Sequence, residues 1–232
     1  MNFHSSSCWV TAVLAAFVLA SAGCGGPPPV TPTPVPEETP TPVPWADVPV
    51  DAAAYWGSFL PLNAPAIGTA ASGSVMLVVD GEELRIELQA DRLPPDMMHL
   101  QHLHGFPEGG EARCPDIGGP EQVVDLIEAS EIAGTTLIPF HDDPTSLEIT
   151  TDTYPSADAD GAMTYRQTVS WPDLQAAVEE TYGIQDLDLS QLVVLIHGVP
   201  EELDLPEAAQ SLPGVPAHVT LPIACATLDK VK

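Results

Sequence analysis

The stretch HLQHLHGF, His99 to Phe106, places three of the chain's seven histidines within six residues. Imidazole donates protons, accepts them and is the commonest metal ligand among side chains. His102 and His104 stand two apart, and along a β-strand residues i and i+2 point to one face. Both can therefore reach a single ion. His99 falls on the other face with Gln101 and Leu103, where packing and a hydrogen bond are its expected duties. His197 ends the apolar run QLVVLIHG, just before Gly198 and a long acidic loop, which puts it at the rim of a sheet. Neutral imidazoles suit copper and zinc, and three of them with an open position make a reactive site rather than a closed structural one.

Strands must carry these residues. SGSVMLVVDG and EELRIELQA alternate with period two around Asp80-Gly81, a strong hairpin signal. MMHLQHLHGF reads as a third strand, GTTLIPF and TSLEITT as shorter ones, and GAMTYRQTVSW follows a second turn at Asp160-Gly161. QLVVLIHG and AHVTLPIACATL complete about eight strands, which predicts an all-β antiparallel sandwich or barrel. One helix interrupts: in SWPDLQAAVEETYG, Ser170 serves as N-cap, Pro172 lies in the first turn and Gly183 is the stop. Two long irregular stretches remain, Gly105 to about Ala133 and Gly198 to Pro216, and long loops in a compact β domain tend to be functional.

The chain of 232 residues carries 33 acidic against 6 basic residues, a net charge of −27. That excludes a nucleic-acid partner, which needs clustered Lys and Arg. The apolar stretch from Cys8 to about Ala20 is short for a membrane span and reads as an export signal. It ends LASAGCGG, similar to a bacterial lipobox with Cys24 as the lipidated residue. A Pro/Thr-rich segment follows that is extended and cannot bury a core. The expected organisation is a lipoprotein-type signal over 1–23, a tether over 24–50 and a β-sandwich domain over 51–232. The protein is then held outside the cytoplasm on the cell envelope through a lipid at Cys24, or else secreted. With Cys8 and Cys24 accounted for, Cys114 and Cys225 form an even pair in an exported domain, and a disulfide is expected.

MMHLQHLHGFPEGGEARC, SADADGAMTYRQTV, QLVVLIHGVPEEL and LPIACATL, in that order over roughly residues 70–228, together resemble the Cu/Zn superoxide dismutase family and its β-sandwich relatives, including CHRD-type domains. The resemblance implies an eight-stranded Greek-key sandwich. It places His102, His104 and His197 at copper-ligand positions and Cys114 and Cys225 at the disulfide positions. His141, in PFHDDP, could supply a fourth copper ligand, with a solvent-facing loop histidine as the plainer reading; His218 has less support. Glu201 and Glu202 could orient an imidazole from behind.

The departures from that pattern are specific. Pro120 stands where the family has its metal-bridging histidine, and the stretch PDIGGPEQVVDLIEASEIAG contains no histidine, so zinc is not expected. Pro222 stands where the family has its anion-guiding arginine, and Gly198 where it often has Glu. Two functions follow as expectations. One is a copper protein that dismutates its partner superoxide weakly. The other is a module for copper storage, delivery or protein interaction without catalysis.

Overall fold

The computed structural model describes residues 48–115 and 123–232. Two five-stranded antiparallel sheets make the fold. One has the order β10-β1-β3-β4-β7, built from Asp229–Lys230, Ala53–Ser58, Ser72–Asp80, Glu83–Asp91 and Met163–Ser170. The other has the order β2-β9-β8-β5-β6, built from Leu60–Pro61, Pro222–Thr227, Val193–His197, Leu100–Gly105 and Thr135–Pro139. The chain leaves β4 for the hairpin-like pair β5 and β6 in the opposite sheet, and β7 returns to lie beside β4. That is a Greek-key connection.

Period two decides which face each residue takes. In β4 the buried residues are Leu84, Ile86, Leu88 and Ala90, with Arg85, Glu87 and Gln89 between them. They meet Leu103, Val194, Ile196, Ile223 and Ala224 of the second sheet in one continuous core. The β3–β4 hairpin closes through Gly81 and Glu82, with Asp80 paired to Glu83 and Gly81 at φ 61°. A left-handed turn of this kind is where glycine is at no disadvantage.

Among the described residues four α-helices join the strands: α1 (Ala64–Ile67), α2 (Leu126–Ala133), α3 (Trp171–Tyr182) and α4 (Ala217–Thr220). The helix expected from SWPDLQAAVEETYG is α3, with the Ser170 side chain accepting from the Asp173 amide and Gly183 ending it. Leu174 and Val178 are its buried side.

The structure corrects the sequence reading in four places. Among the described residues the strands number ten rather than about eight. The additional strands include β1, whose alanines disfavour a strand on propensity, although Ala54 packs with Met76 and Val78 outside the main core. TSLEITT is not a strand: Pro144–Ser146 form a short 3-10 turn and the rest is loop. The single inserted helix is joined by α2, in a stretch read as irregular, and by two helices of about one turn each. Finally, His141 is buried, at 2 % exposure, instead of facing solvent. The signal segment 1–23, Cys24, most of the tether and Pro120 lie outside the described residues.

Candidate metal centre

β5 and β8 are neighbours, with Leu100 opposite His197, His102 opposite Leu195 and His104 opposite Val193. Strand parity therefore brings His102, His104 and His197 to one patch on the outer face of the second sheet, while Leu103, Val194 and Ile196 face the core. Two register shifts lie beside them. One interrupts the β5–β6 pairing between Leu103 and His104, and the other the β8–β9 pairing between Ile196 and His197. Such bulges re-aim side chains and gather at functional sites.

The ring centroids form a nearly equilateral triangle: 5.6 Å from His102 to His104, 5.3 Å from His102 to His197, and 5.5 Å from His104 to His197. One ligand nitrogen from each lies within 4.8 Å of the others. All three side chains are buried.

Each ring uses its other nitrogen to fix its orientation. His104 Nδ1 donates to the Gly134 carbonyl at 3.2 Å, and His197 Nδ1 donates to the Thr220 carbonyl at 2.9 Å. His102 Nε2 lies 2.9 Å from the Tyr154 hydroxyl, which itself donates to the Ile149 carbonyl at 3.2 Å. A hydroxyl has one proton. With that proton on Ile149, the Tyr154 oxygen accepts from His102 Nε2–H. Lone pairs are thus left on His102 Nδ1, His104 Nε2 and His197 Nε2. Among the described residues His102 Nδ1 and His197 Nε2 are buried with no hydrogen-bond partner, and His104 Nε2 has only a long 3.4 Å contact to the Thr136 hydroxyl.

Orphaned buried acceptors cost stability unless something completes them. Here they converge, which is the test a metal site has to pass, and the donor set is all imidazole. Burial also keeps the rings neutral. It pushes His104 down to about 3, helped by repulsion from His197 and opposed by the Gly134 bond. Burial pushes His197 down to about 4, opposed by the Thr220 bond. His102 is held well below 6.5 by burial and then by repulsion from the other histidines. Neutral imidazole is the form that binds metal.

The remaining expectations sort as follows. His99 is buried on the other face of β5, between the carbonyls of Pro94 (2.9 Å) and His197 (3.1 Å). It props the strand end that carries His197. His141 is outside the group of three. Its Nδ1 accepts from the Asp143 amide at 3.0 Å and its Nε2 donates to the Glu148 carbonyl at 2.8 Å, so no lone pair is left for an ion. His218 contacts the Leu203 carbonyl at 2.7 Å. Glu201 and Glu202 are exposed, and the orienting partners of the three rings are Tyr154 and two backbone carbonyls instead. Cys114 and Cys225 are bonded, S–S 2.06 Å, which ties the loop after β5 to β9. Pro222 opens β9 opposite His197.

Sequence reasoning missed Tyr154, Gly134 and Thr220. Tyr154 arrives from a loop with no periodic signal, and the other two act through backbone atoms that any residue possesses.

No protein-family model matches the chain, and no curated protein matches it. Among solved structures it is similar to a Cu/Zn superoxide dismutase from Brucella abortus, at 19% sequence identity and a TM-score of 0.40, over 76% of this chain and 99% of that one.

Proposed function

We propose that the protein is a copper-binding protein of the cell envelope, holding the ion through His102 Nδ1, His104 Nε2 and His197 Nε2, with slow superoxide dismutation as its activity. The observation that carries this is the convergence of three lone pairs, two of them on buried nitrogens with no other partner. Copper rather than zinc is favoured because an all-imidazole donor set follows the usual affinity order, in which Cu(II) leads. The sequence motifs point the same way.

Bound copper would supply one-electron exchange with superoxide. The chain's own contribution is to keep three imidazoles neutral, fixed in tautomer and open on one side. Among the described residues no Lys or Arg lines the cavity above the histidines, and the chain carries −27, so an anion is not gathered there. Superoxide capture relies on a positive cleft, so turnover is slow. That same absence favours the second reading, copper storage or delivery without turnover.

Loading the purified protein with Cu(II) and recording stoichiometry and the EPR spectrum for wild type, His102→Ala and His197→Ala tests the site. One copper per chain with nitrogen hyperfine structure, lost in both variants, is expected. Equal binding by wild type and the double variant His102→Ala/His197→Ala would remove the metal reading. A superoxide assay on the loaded protein then separates enzyme from carrier. The disulfide, the lipobox-like LASAGCGG and the tether support an exported, lipid-anchored form, and mass spectrometry of the mature N-terminus tests for lipid at Cys24.

A further inference from the structure

The three histidines form the floor of a cavity of about 530 Å³. Its walls come from the two long loops the sequence singles out, from α2 and from the loop between β6 and β7: Phe106, Leu126, Ile127, Ile149 and Leu212. Two of these are notably bare for apolar side chains, Ile127 at 37 % and Leu212 at 51 % exposure. Glu108, itself exposed, is the one charged side chain among the described residues that line it.

The walls are held in place. The buried Asp125 caps α2, its Oδ1 accepting from the amides of Ile127 (2.9 Å) and Glu128 (3.0 Å). Its Oδ2 accepts from the Gln210 amide at 2.7 Å, and so fastens the second loop to the same helix. Next to Leu212, the Ser211 hydroxyl meets that of Thr220 at 2.7 Å, the residue whose carbonyl orients His197. Asn63 donates to the Val124 and Pro222 carbonyls, both at 2.9 Å, and pins the start of α2 to β9. The cavity is thus preformed, and its volume falls in the range of small-molecule sites, about 300–1,000 Å³.

We propose that this cavity binds a small uncharged organic molecule with an apolar body and one donor atom, the body lying against Ile127 and Leu212 and the donor reaching the open side of the histidine site. The donor part rests on the copper reading above; the apolar part does not. An apolar wall desolvates a charged ligand without compensation, and neither a cation nor the field of an acidic chain offsets that cost for an anion. A neutral molecule meets no such penalty and gains from burial.

Two measurements on the full chain test this separately. Metal-free protein is titrated with the neutral fluorophore N-phenyl-1-naphthylamine, for wild type and for Ile127→Asp/Leu212→Asp. Both positions are partly exposed, so the variant keeps the fold, checked by circular dichroism. Binding with blue-shifted emission, weakened at least tenfold in the variant, is expected; equal binding overturns the proposal. Copper-loaded protein is then titrated with 4-phenylimidazole and with azide, read by EPR. The azole should perturb the spectrum at concentrations at least tenfold below azide, and the variant should lose that preference. Azide acting at equal or lower concentration overturns the proposal. If no copper loads, the copper reading fails and the fluorophore still decides the cavity. Sedimentation at the titration concentrations detects a dimer that covers Ile127 and Leu212, and that result would also overturn it.

Discussion

The Tyr154 hydroxyl sits 2.9 Å from His102 Nε2, and the two rings meet edge to face with centroids 5.4 Å apart. This contact decides which nitrogen of His102 faces the other histidines. Its own proton being committed to Ile149, Tyr154 can only accept from His102, and burial pushes its phenol far above the range in which it would ionise. Tyr154→Phe fills the same space and leaves a buried Nε2–H without a partner. The ring is then free to adopt the other tautomer, which withdraws the Nδ1 lone pair. Loss of an orienting partner of this kind typically weakens metal binding by about 10–100-fold. Competition against a chelator should show that loss for Cu(II), together with a stability loss of about 1–3 kcal/mol in the metal-free protein from the unpaired Nε2–H. Unaltered affinity in Tyr154→Phe would mean that the sheet alone orients His102.

The histidine cluster also makes stability depend on pH, with a definite sign. In the unfolded chain a histidine protonates near 6.5, whereas folded His104 and His197 do so near 3 and 4. Between those values the unfolded chain binds more protons, so the metal-free fold loses stability as pH falls below about 6.5. Each residue contributes a loss of about 1.4 kcal/mol per pH unit in that window. Urea denaturation at pH 7.0 and 5.5 should therefore differ by about 2–3 kcal/mol from these two residues. His104→Gln/His197→Gln should shrink the difference by about that amount and leave the part that comes from buried His102 and His99. An equal midpoint at both pH values for wild type would show that the cluster is solvated enough to take up protons while folded.

These two effects lie at different depths in the sequence. The face shared by His102 and His104 is legible from parity alone, and His197 from its place at the end of an apolar run. The helix α3 is legible because Ser170 and Gly183 bracket it with local chemistry. Strand β1 is not, because Ala53 and Ala54 become strand residues only once β3 pairs with them and, for Ala54, supplies the apolar surface of Met76 and Val78. Helix α2 was hidden by its neighbourhood: Asp125 and Glu128 form a capping box, yet the segment between Gly105 and Ala133 is too rich in turn residues to display a period. Tyr154 reaches His102 across 52 positions of chain. A contact set by tertiary closure of a loop leaves no local trace.

The Cys114–Cys225 bond closes a loop with a separation of 111 residues and holds the segment after β5 against β9, next to Leu60 and Leu195. In the chain-entropy model, cross-linking a loop of this length stabilises by about 4–5 kcal/mol. Cys114→Ser/Cys225→Ser should lower stability by up to that amount in urea denaturation. It should affect copper binding less, because the three rings are oriented by Tyr154, Gly134 and Thr220 rather than by the bond. A variant that keeps full stability would place the bond's constraint in the denatured ensemble below what the model assigns. A variant that loses copper at unchanged stability would tie the loop directly to the site.

Gly134 couples the histidine patch to the backbone through its carbonyl and its own conformation. It follows α2 at φ 79° and ψ −170°, a region essentially reserved for glycine, and its carbonyl takes the His104 Nδ1 proton. A Cβ placed there would lie 2.1 Å from the Gly105 carbonyl oxygen, which is backbone and cannot rotate away. Gly134→Ala therefore has to displace either β5 at Gly105 or the start of β6, and both carry the geometry of His104. Gly68 is a suitable control, because it also has a positive φ, 76°, but open space around its Cβ position. Strain of a left-handed or extended-positive residue costs on the order of 1–3 kcal/mol. Gly68→Ala should show at most that cost and no change in Cu(II) affinity. Gly134→Ala should lose more stability than Gly68→Ala and also weaken Cu(II), since the shifted carbonyl no longer holds the His104 tautomer. Equal melting temperatures for the two variants, with copper affinity intact in both, would mean that the Gly105–Gly134 crossing relaxes without moving the histidine.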